Sequence, residues 1–286
     1  MRTDGDKNEY YWKILQMQVQ EKRIEQVFEV FNRQRIDALL IKGWAAARNY
    51  PKPFERLSVD IDLAVRPEDF AAGEALLAER KITGVDLHEG LRHLDTLVWE
   101  KLYADREELK IGDATVKILR AEDHLRILCV HWLGDGGVDK ERLRDVYYAV
   151  KNRRADFDWS RCLDAAGERR RKWIACTIGL TEKYLGLDIK DTPLEDEAGR
   201  LPRWIIETVE KEWKRNIRLK PLHTCLRDGE KLREQIRLRI PPNPIQATIE
   251  MEGDFDKRTR IVYQMGSVLK RVKPSLQRIG QTLKTR

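Results

Sequence analysis

The sequence predicts an α+β domain followed by a helical domain. Strand-like runs are confined to the part of the chain before residue 120, and the helical period dominates from Ala121 onward. The length of 286 residues also suits two domains at about 150 residues each, and 41% hydrophobic content is enough for a real core. The expected domains are 1–120, α+β, and 121–286, helical with a basic C-terminal tail.

The first expected element is an amphipathic helix over Tyr11 to Arg35, where Ile14, Leu15, Val19, Ile24, Val27, Phe28 and Phe31 recur at mostly helical spacing. Asp37 to Lys42 is a short apolar run closed by Gly43, the pattern of a buried strand entering a turn. A proline-bearing loop, Tyr50 to Arg56, leads into Leu57 to Val65, whose alternation marks a second strand. Pro67 opens a helix with Glu68 and Asp69 in its first turn, where the helix dipole favours acids, and the helix should run to about Arg80. Ile82 to Leu87 and Ala114 to Leu119 are further strands. Helices follow at His124 to Trp132, Arg142 to Val150, Trp173 to Leu185 and Trp204 to Trp213.

Composition narrows the function. No stretch reaches the roughly 18 apolar residues of a membrane span, and the first ten residues lack an apolar signal core, so a cytoplasmic location is expected. Cys129, Cys162, Cys176 and Cys225 stand singly and read as buried thiols. The pairs His88 with His93 and His124 with His131 match no common zinc spacing and read as core or surface histidines. The formal charge is +7, yet residues 257–286 hold nine Lys or Arg and no acid, so the rest of the chain stands at −2. Basicity is thus a tail property, which argues for an anionic contact there and against a nucleic-acid groove across the whole body.

The segment that carries chemistry is Ser58 to Val65. On an extended strand Asp60 and Asp62 share a face, their α-carbons about 6.5 to 7 Å apart, while Ile61, Leu63 and Val65 face the other way. Two such carboxylates repel unless a cation lies between them, although a strand with one solvated acidic face would show the same pattern. Gly43 closes a turn where backbone amides can approach phosphate oxygens, and Asp86 can supply a third carboxylate about 4.8 Å across the sheet. Three hard oxygen donors beside such a turn suit Mg²⁺ or Mn²⁺.

Leu40 to Gly43, Tyr50, Pro51, Arg56, Asp60 to Val65 and Val85 to His88 together resemble a family of uncharacterised bacterial nucleotidyltransferases of the polymerase-beta-like superfamily. Ala121 to Leu125, His131 and Arg142 to Asp145 resemble the helical half of the same proteins, so the likeness spans about residues 36 to 190. The resemblance implies a nucleotidyltransferase-fold mixed sheet with flanking helices and a helical acceptor-side domain. It implies metal-dependent transfer of a nucleoside monophosphate from a nucleoside triphosphate to an unidentified acceptor, such as a small molecule, sugar phosphate or peptide. Asp60 and Asp62 would hold the metal, Asp86 would be the third acid, and Gly43 would approach the triphosphate. Lys42, Trp44, Arg56 and Ser58 complete the expected nucleotide-binding set, with a structural surface role open for Lys42 and Arg56. Trp44 departs from the serine or second glycine usual after the turn glycine, and the gap from Gly43 to Asp60 is long.

Three readings stay open on sequence grounds: the enzyme, a catalytically degenerate binding or scaffold module, and a nucleic-acid-directed transferase. The confined positive charge and the lack of an aromatic–basic platform weigh against the third. Asp123, Glu141 and Asp145 read as solvated or salt-bridged acids, and Trp132, Trp159, Trp173 and Trp204 as core. In the tail, Ile261, Val262, Met265, Val268, Leu269 and Val272 fall on one helical face ahead of Pro274. That face is expected either to dock on the body, with its cations in water, or to support an anionic contact.

Overall fold

A computed structural model describes residues 4–215, 220, 222–225, 228–256 and 259–271. The chain forms two compact units, one of residues 1–128 with 144–171 and the other of residues 129–143 with 172–286. The division differs from the expected boundary at residue 120: residues 121–128 and 144–171 group with the first unit.

The first unit is built on a five-stranded mixed sheet of order β3-β2-β1-β5-β4. Its strands are β1 (Ala38–Leu40), β2 (Ile61–Val65), β3 (Val85–Glu89), β4 (Glu107–Ile111) and β5 (Ala114–Ile118). β1 pairs antiparallel with β2 and parallel with β5, β2 pairs parallel with β3, and β4 pairs antiparallel with β5. The helices here are α1 (Asp4–Arg33), α2 (Trp44–Ala47), α3 (Phe70–Glu79, entered through a 3₁₀ turn at Pro67–Asp69) and α4 (Trp99–Ala104). α5 (Ala121–Gly134, of which residues 121–128 belong here), α6 (Leu143–Lys151, here from Arg144) and α7 (Trp159–Leu163) follow.

Ile24, Val27, Phe28 and Phe31 of α1 are buried in one core with Leu40, Ile61, Leu63, Val65, Leu76 and Val116. The first half of α1 behaves otherwise: Leu15 and Val19 are 48% and 54% exposed, although their spacing assigns them to the core stripe. Helical period gives the face of a residue but not whether a partner covers that length of helix. β5 lies within the strand expected at Ala114 to Leu119, but β4, its hairpin partner, escaped the sequence reading. Its signal is the alternation of Glu107 to Ile111 ahead of Gly112 and Asp113, a two-residue glycine turn with Gly112 at φ 57°.

A buried ionic network braces this unit. Arg126, 1% exposed, donates from Nε and Nη2 to Asp95 Oδ2 at 3.0 and 2.8 Å, and from Nη2 to Asp123 Oδ1 at 2.6 Å. Asp123 accepts a second guanidinium, Arg161 Nη2 at 2.6 Å, and Arg161 Nη1 reaches Asp105 Oδ2 at 2.6 Å. Asp123 is therefore a structural ion-pair partner.

The second unit is helical, with α8 (Gly167–Leu185, of which residues 172–185 belong here), α9 (Glu195–Ala198), α10 (Arg203–Arg215), α11 (Gly229–Arg237) and α12 (Pro244–Glu250). Trp173, Ile174, Ile178 and Leu180 of α8 are fully buried, and Trp173 Nε1 donates to the Gly253 carbonyl at 3.2 Å. Asn243 caps α12 by accepting from the Ile245 and Gln246 amides, which pre-sets the start of a helix opened by Pro244. All four cysteines are buried thiols outside any disulfide, as their spacing implied.

Residues 261–271 form α13, the last helix among the described residues. Its orientation corrects the docked reading of the tail. Ile261, Val262, Met265 and Leu269 are 60–73% exposed, and the helix is held by its polar side. Ser267 donates to Glu250 Oε2 at 2.6 Å, Arg271 Nε to the same carboxylate at 2.9 Å, and Gln264 to the Pro242 carbonyl at 2.6 Å. Val272, Lys273 and Pro274 lie outside the described residues.

Candidate metal and nucleotide site

β2 owes its position to Ile61, Leu63 and Val65, all 1% exposed or less, which pack one face of the strand into the core. Asp62 consequently points to the other face, with its side chain 17% exposed. The parallel pairing of β2 with β3 sets Asp62 opposite Asp86 and Ala64 opposite His88. Asp86 and His88 are two residues apart on one strand and share that face. Asp62, Asp86 and His88 each offer one ligand atom, and these atoms all lie within 4.8 Å of one another. His88 Nε2 stands 3.3 Å from Asp86 Oδ2 and 3.7 Å from Asp62 Oδ1.

The grouping differs from the sequence expectation at two places. Asp60 lies in a bend ahead of β2 and is exposed, so the alternation that pairs it with Asp62 breaks before it begins. Spacing alone sets His88 aside, because its interval to His93 fits no zinc pattern; the two rings stack, 5.3 Å apart. The usable signal was the Asp86–His88 interval of two on a strand opposite Asp62. His124, by contrast, is a buried core histidine, pushed down to about 4 by burial and then by the Arg48 charge.

Lys42 and Gly43 follow β1 and meet the group directly. Lys42 Nζ lies 2.8 Å from Asp62 Oδ1. Burial pushes the Asp62 carboxyl up, but the neighbouring His88 imidazole and the Lys42 ammonium outweigh it and hold the group below the usual carboxylate range. Gly43 has φ 54° and ψ −110°, a conformation that residues with a β-carbon avoid. A β-carbon there would stand 2.7 Å from Ser58 Oγ and 3.5 Å from Asp62 Oδ2, so the turn backbone runs against the carboxylate. Ser58 Oγ also accepts a hydrogen bond from Gln20 of α1. Gly43→Ala is expected to cost about 1–3 kcal/mol of stability, from backbone strain and the Ser58 contact. Urea unfolding measures it, and an unchanged midpoint would show that the turn relaxes freely.

Trp44 and Arg56, expected at the nucleotide, are engaged elsewhere in this unit. Trp44 is 8% exposed, packs in the core cluster and donates its indole N–H to Glu21 at 3.1 Å. Arg56 grips Asp145 with two hydrogen bonds, Nε to Oδ1 at 2.7 Å and Nη2 to Oδ2 at 2.9 Å. Tyr50 O–H donates to the same carboxylate at 2.6 Å. A fork already closed on a carboxylate has little left for phosphate. The arrangement makes Arg56 and Asp145 a tie between the loop before β2 and α6. Lys42, Gly43 and Ser58 are the members of the expected nucleotide set that the structure brings beside Asp62.

One comparison bears on this geometry. Residues 7–93 match the model of a family described as uncharacterised nucleotidyltransferase. The matched span runs from α1 to just beyond β3 and contains every residue of the site: Lys42, Gly43, Ser58, Asp60, Asp62, Asp86 and His88. It stops short of β4, β5, Asp145 and the second unit, so the likeness read at Ala121 to Asp145 falls outside it. No curated protein and no solved structure matches the chain. The mixed sheet with flanking helices agrees with the fold expected of a nucleotidyltransferase-family segment.

The residues present fit a divalent cation. The carboxylates of Asp62 and Asp86 are hard donors, and His88 Nε2 is a ring nitrogen shielded from water beside both of them. Among the described residues no helix is long and apolar enough to cross a membrane.

Proposed function

We propose that the chain transfers a nucleoside monophosphate from a nucleoside triphosphate to an acceptor, using a divalent cation held by Asp62 and Asp86. The observation that carries this is the β2–β3 register, which sets Asp62 beside Asp86 inside the segment that matches the nucleotidyltransferase family. When bound, the cation supplies charge neutralisation at the phosphates and a lowered pKa for the attacking hydroxyl.

The chain's own groups do the rest. Asp86, the most solvent-accessible of the three at 59% exposed, is the acid nearest an incoming acceptor and takes up its proton. Asp62, anchored on a strand packed by Ile61 and Leu63, fixes the position of the reacting phosphate. Lys42, paired with Asp62 here, would turn to the triphosphate were that carboxylate to hold a cation. Gly43 leaves room for the phosphate chain over the turn, and Ser58 lines it. Asp60, exposed at the mouth of β2, adds a carboxylate to the nucleotide-borne cation. The basic stretch 257–286 remains the segment for an anionic contact.

Incubation of the full chain with each α-labelled triphosphate, Mg²⁺ or Mn²⁺ and a metabolite extract tests the proposal. The expected result is a labelled product with pyrophosphate released in equal amount. Absence of both triphosphate binding and labelling with every ion would overturn it and leave a binding or scaffold module.

A further inference from the structure

Two carboxylates would suffice for Mg²⁺, a hard ion that takes oxygen ligands and gives up its water reluctantly. The third group here is an imidazole. His88 Nε2 is shielded from water and stands 3.3 Å from Asp86 Oδ2 and 3.7 Å from Asp62 Oδ1. Ligands at right angles on an ion with bonds of about 2.1 Å are about 3 Å apart, so the observed separations are close to those of a ligand set before the ion draws it together. With its proton on Nδ1, His88 turns the Nε2 lone pair towards the two carboxylates, where a cation would lie.

Chemical preference then follows from the donors. Imidazole suits first-row transition ions, whose affinity for nitrogen-containing sites rises from Mn²⁺ towards Cu²⁺, whereas Mg²⁺ gains little from nitrogen. We infer that Asp62, Asp86 and His88 form a mixed nitrogen–oxygen site that selects a first-row transition cation, with Mn²⁺ the weakest-binding member, over Mg²⁺. The inference deepens the proposed reading of this site and rests on it for location alone. Lys42, 2.8 Å from Asp62, is the intrinsic competitor: its ammonium occupies one ligand oxygen while no cation is bound.

The test uses the full chain without nucleotide, so it stands apart from whether transfer occurs. Free Mn²⁺ is followed by electron paramagnetic resonance, and Mg²⁺ affinity is read by competition. Mn²⁺ is expected to bind about 100-fold more tightly than Mg²⁺, with a nitrogen coupling visible in pulsed spectra. His88→Asn should remove the coupling and weaken Mn²⁺ by about 10- to 100-fold while leaving Mg²⁺ nearly unchanged. Lys42→Met keeps all three ligands and should tighten Mn²⁺ binding, which keeps the inference testable if the His88 variant fails to fold. Equal affinities for the two ions, or bound Mn²⁺ without nitrogen coupling in the unmodified chain, would overturn it. If transfer assays fail while the preference and the coupling hold, the ion site stands and only the proposed reaction falls.

Discussion

Asp62→Asn should lower transfer by about 10³-fold or more, since loss of a cation ligand removes several kcal/mol of charge stabilisation at the reacting phosphate. Sequence reasoning also expects removal of one of two repelling carboxylates to hold or raise stability. The structure reverses that expectation for Asp62. Lys42 Nζ lies 2.8 Å away with both side chains largely buried, so the neutral amide leaves an ammonium short of its partner. A loss of about 1–3 kcal/mol is expected in urea unfolding without metal. Asp60→Asn is the informative contrast, because Asp60 is exposed in a bend and its change should stay within about 0.5 kcal/mol. Single-turnover labelling with both variants separates the roles. Transfer by Asp62→Asn within tenfold of the unmodified chain would remove Asp62 from the site.

Arg126→Met should have the largest effect on stability. The guanidinium is 1% exposed and is held by Asp95, Asp123 and the Arg161 carbonyl. Methionine fills much of the volume but leaves Asp95 buried without this cation and Asp123 with Arg161 alone. Breaking one side of such a buried network costs about 3–5 kcal/mol. Chemical denaturation followed by circular dichroism measures it. A loss below about 1 kcal/mol would mean that water or a shifted side chain compensates the two acids.

Both outcomes depend on relations that a linear reading can only partly reach. The alternation of Ile61, Leu63 and Val65 is enough to place Asp62 on the open face of β2, because a strand with one buried face must turn its intervening residues outward. Asp86 as a cross-strand neighbour was accessible for the same reason, and the register bears that placement out. Asp60 was not, since alternation says nothing about where an extended backbone starts to bend. Arg56 and Trp44 have residue types that suit a nucleotide, and only the packing of Asp145 and Glu21 against them shows that they are engaged elsewhere.

The exposed apolar face of α13 makes the same point at the level of a helix. The period of Ile261, Val262, Met265 and Leu269 correctly gives one face, yet the partner is Glu250 on α12, and it takes Ser267 and Arg271 from the polar side. Periodicity fixes relative orientation along an element; the neighbour decides which side is inward.

By itself, then, the sequence determined the α+β beginning, the helical continuation, the strand that carries Asp62 and the buried thiols. Each of these follows from local period and from the cost of burying polar groups, which act within a few residues. Tertiary structure alone decided that His88 joins Asp62 and Asp86, that Lys42 neutralises Asp62, and that Arg56 closes on Asp145. The pairings of Asp62 with Lys42 and His88, and of Arg56 with Asp145, join residues 20 to 89 positions apart, and it is strand register and side-chain packing across the unit that bring them within a few ångströms.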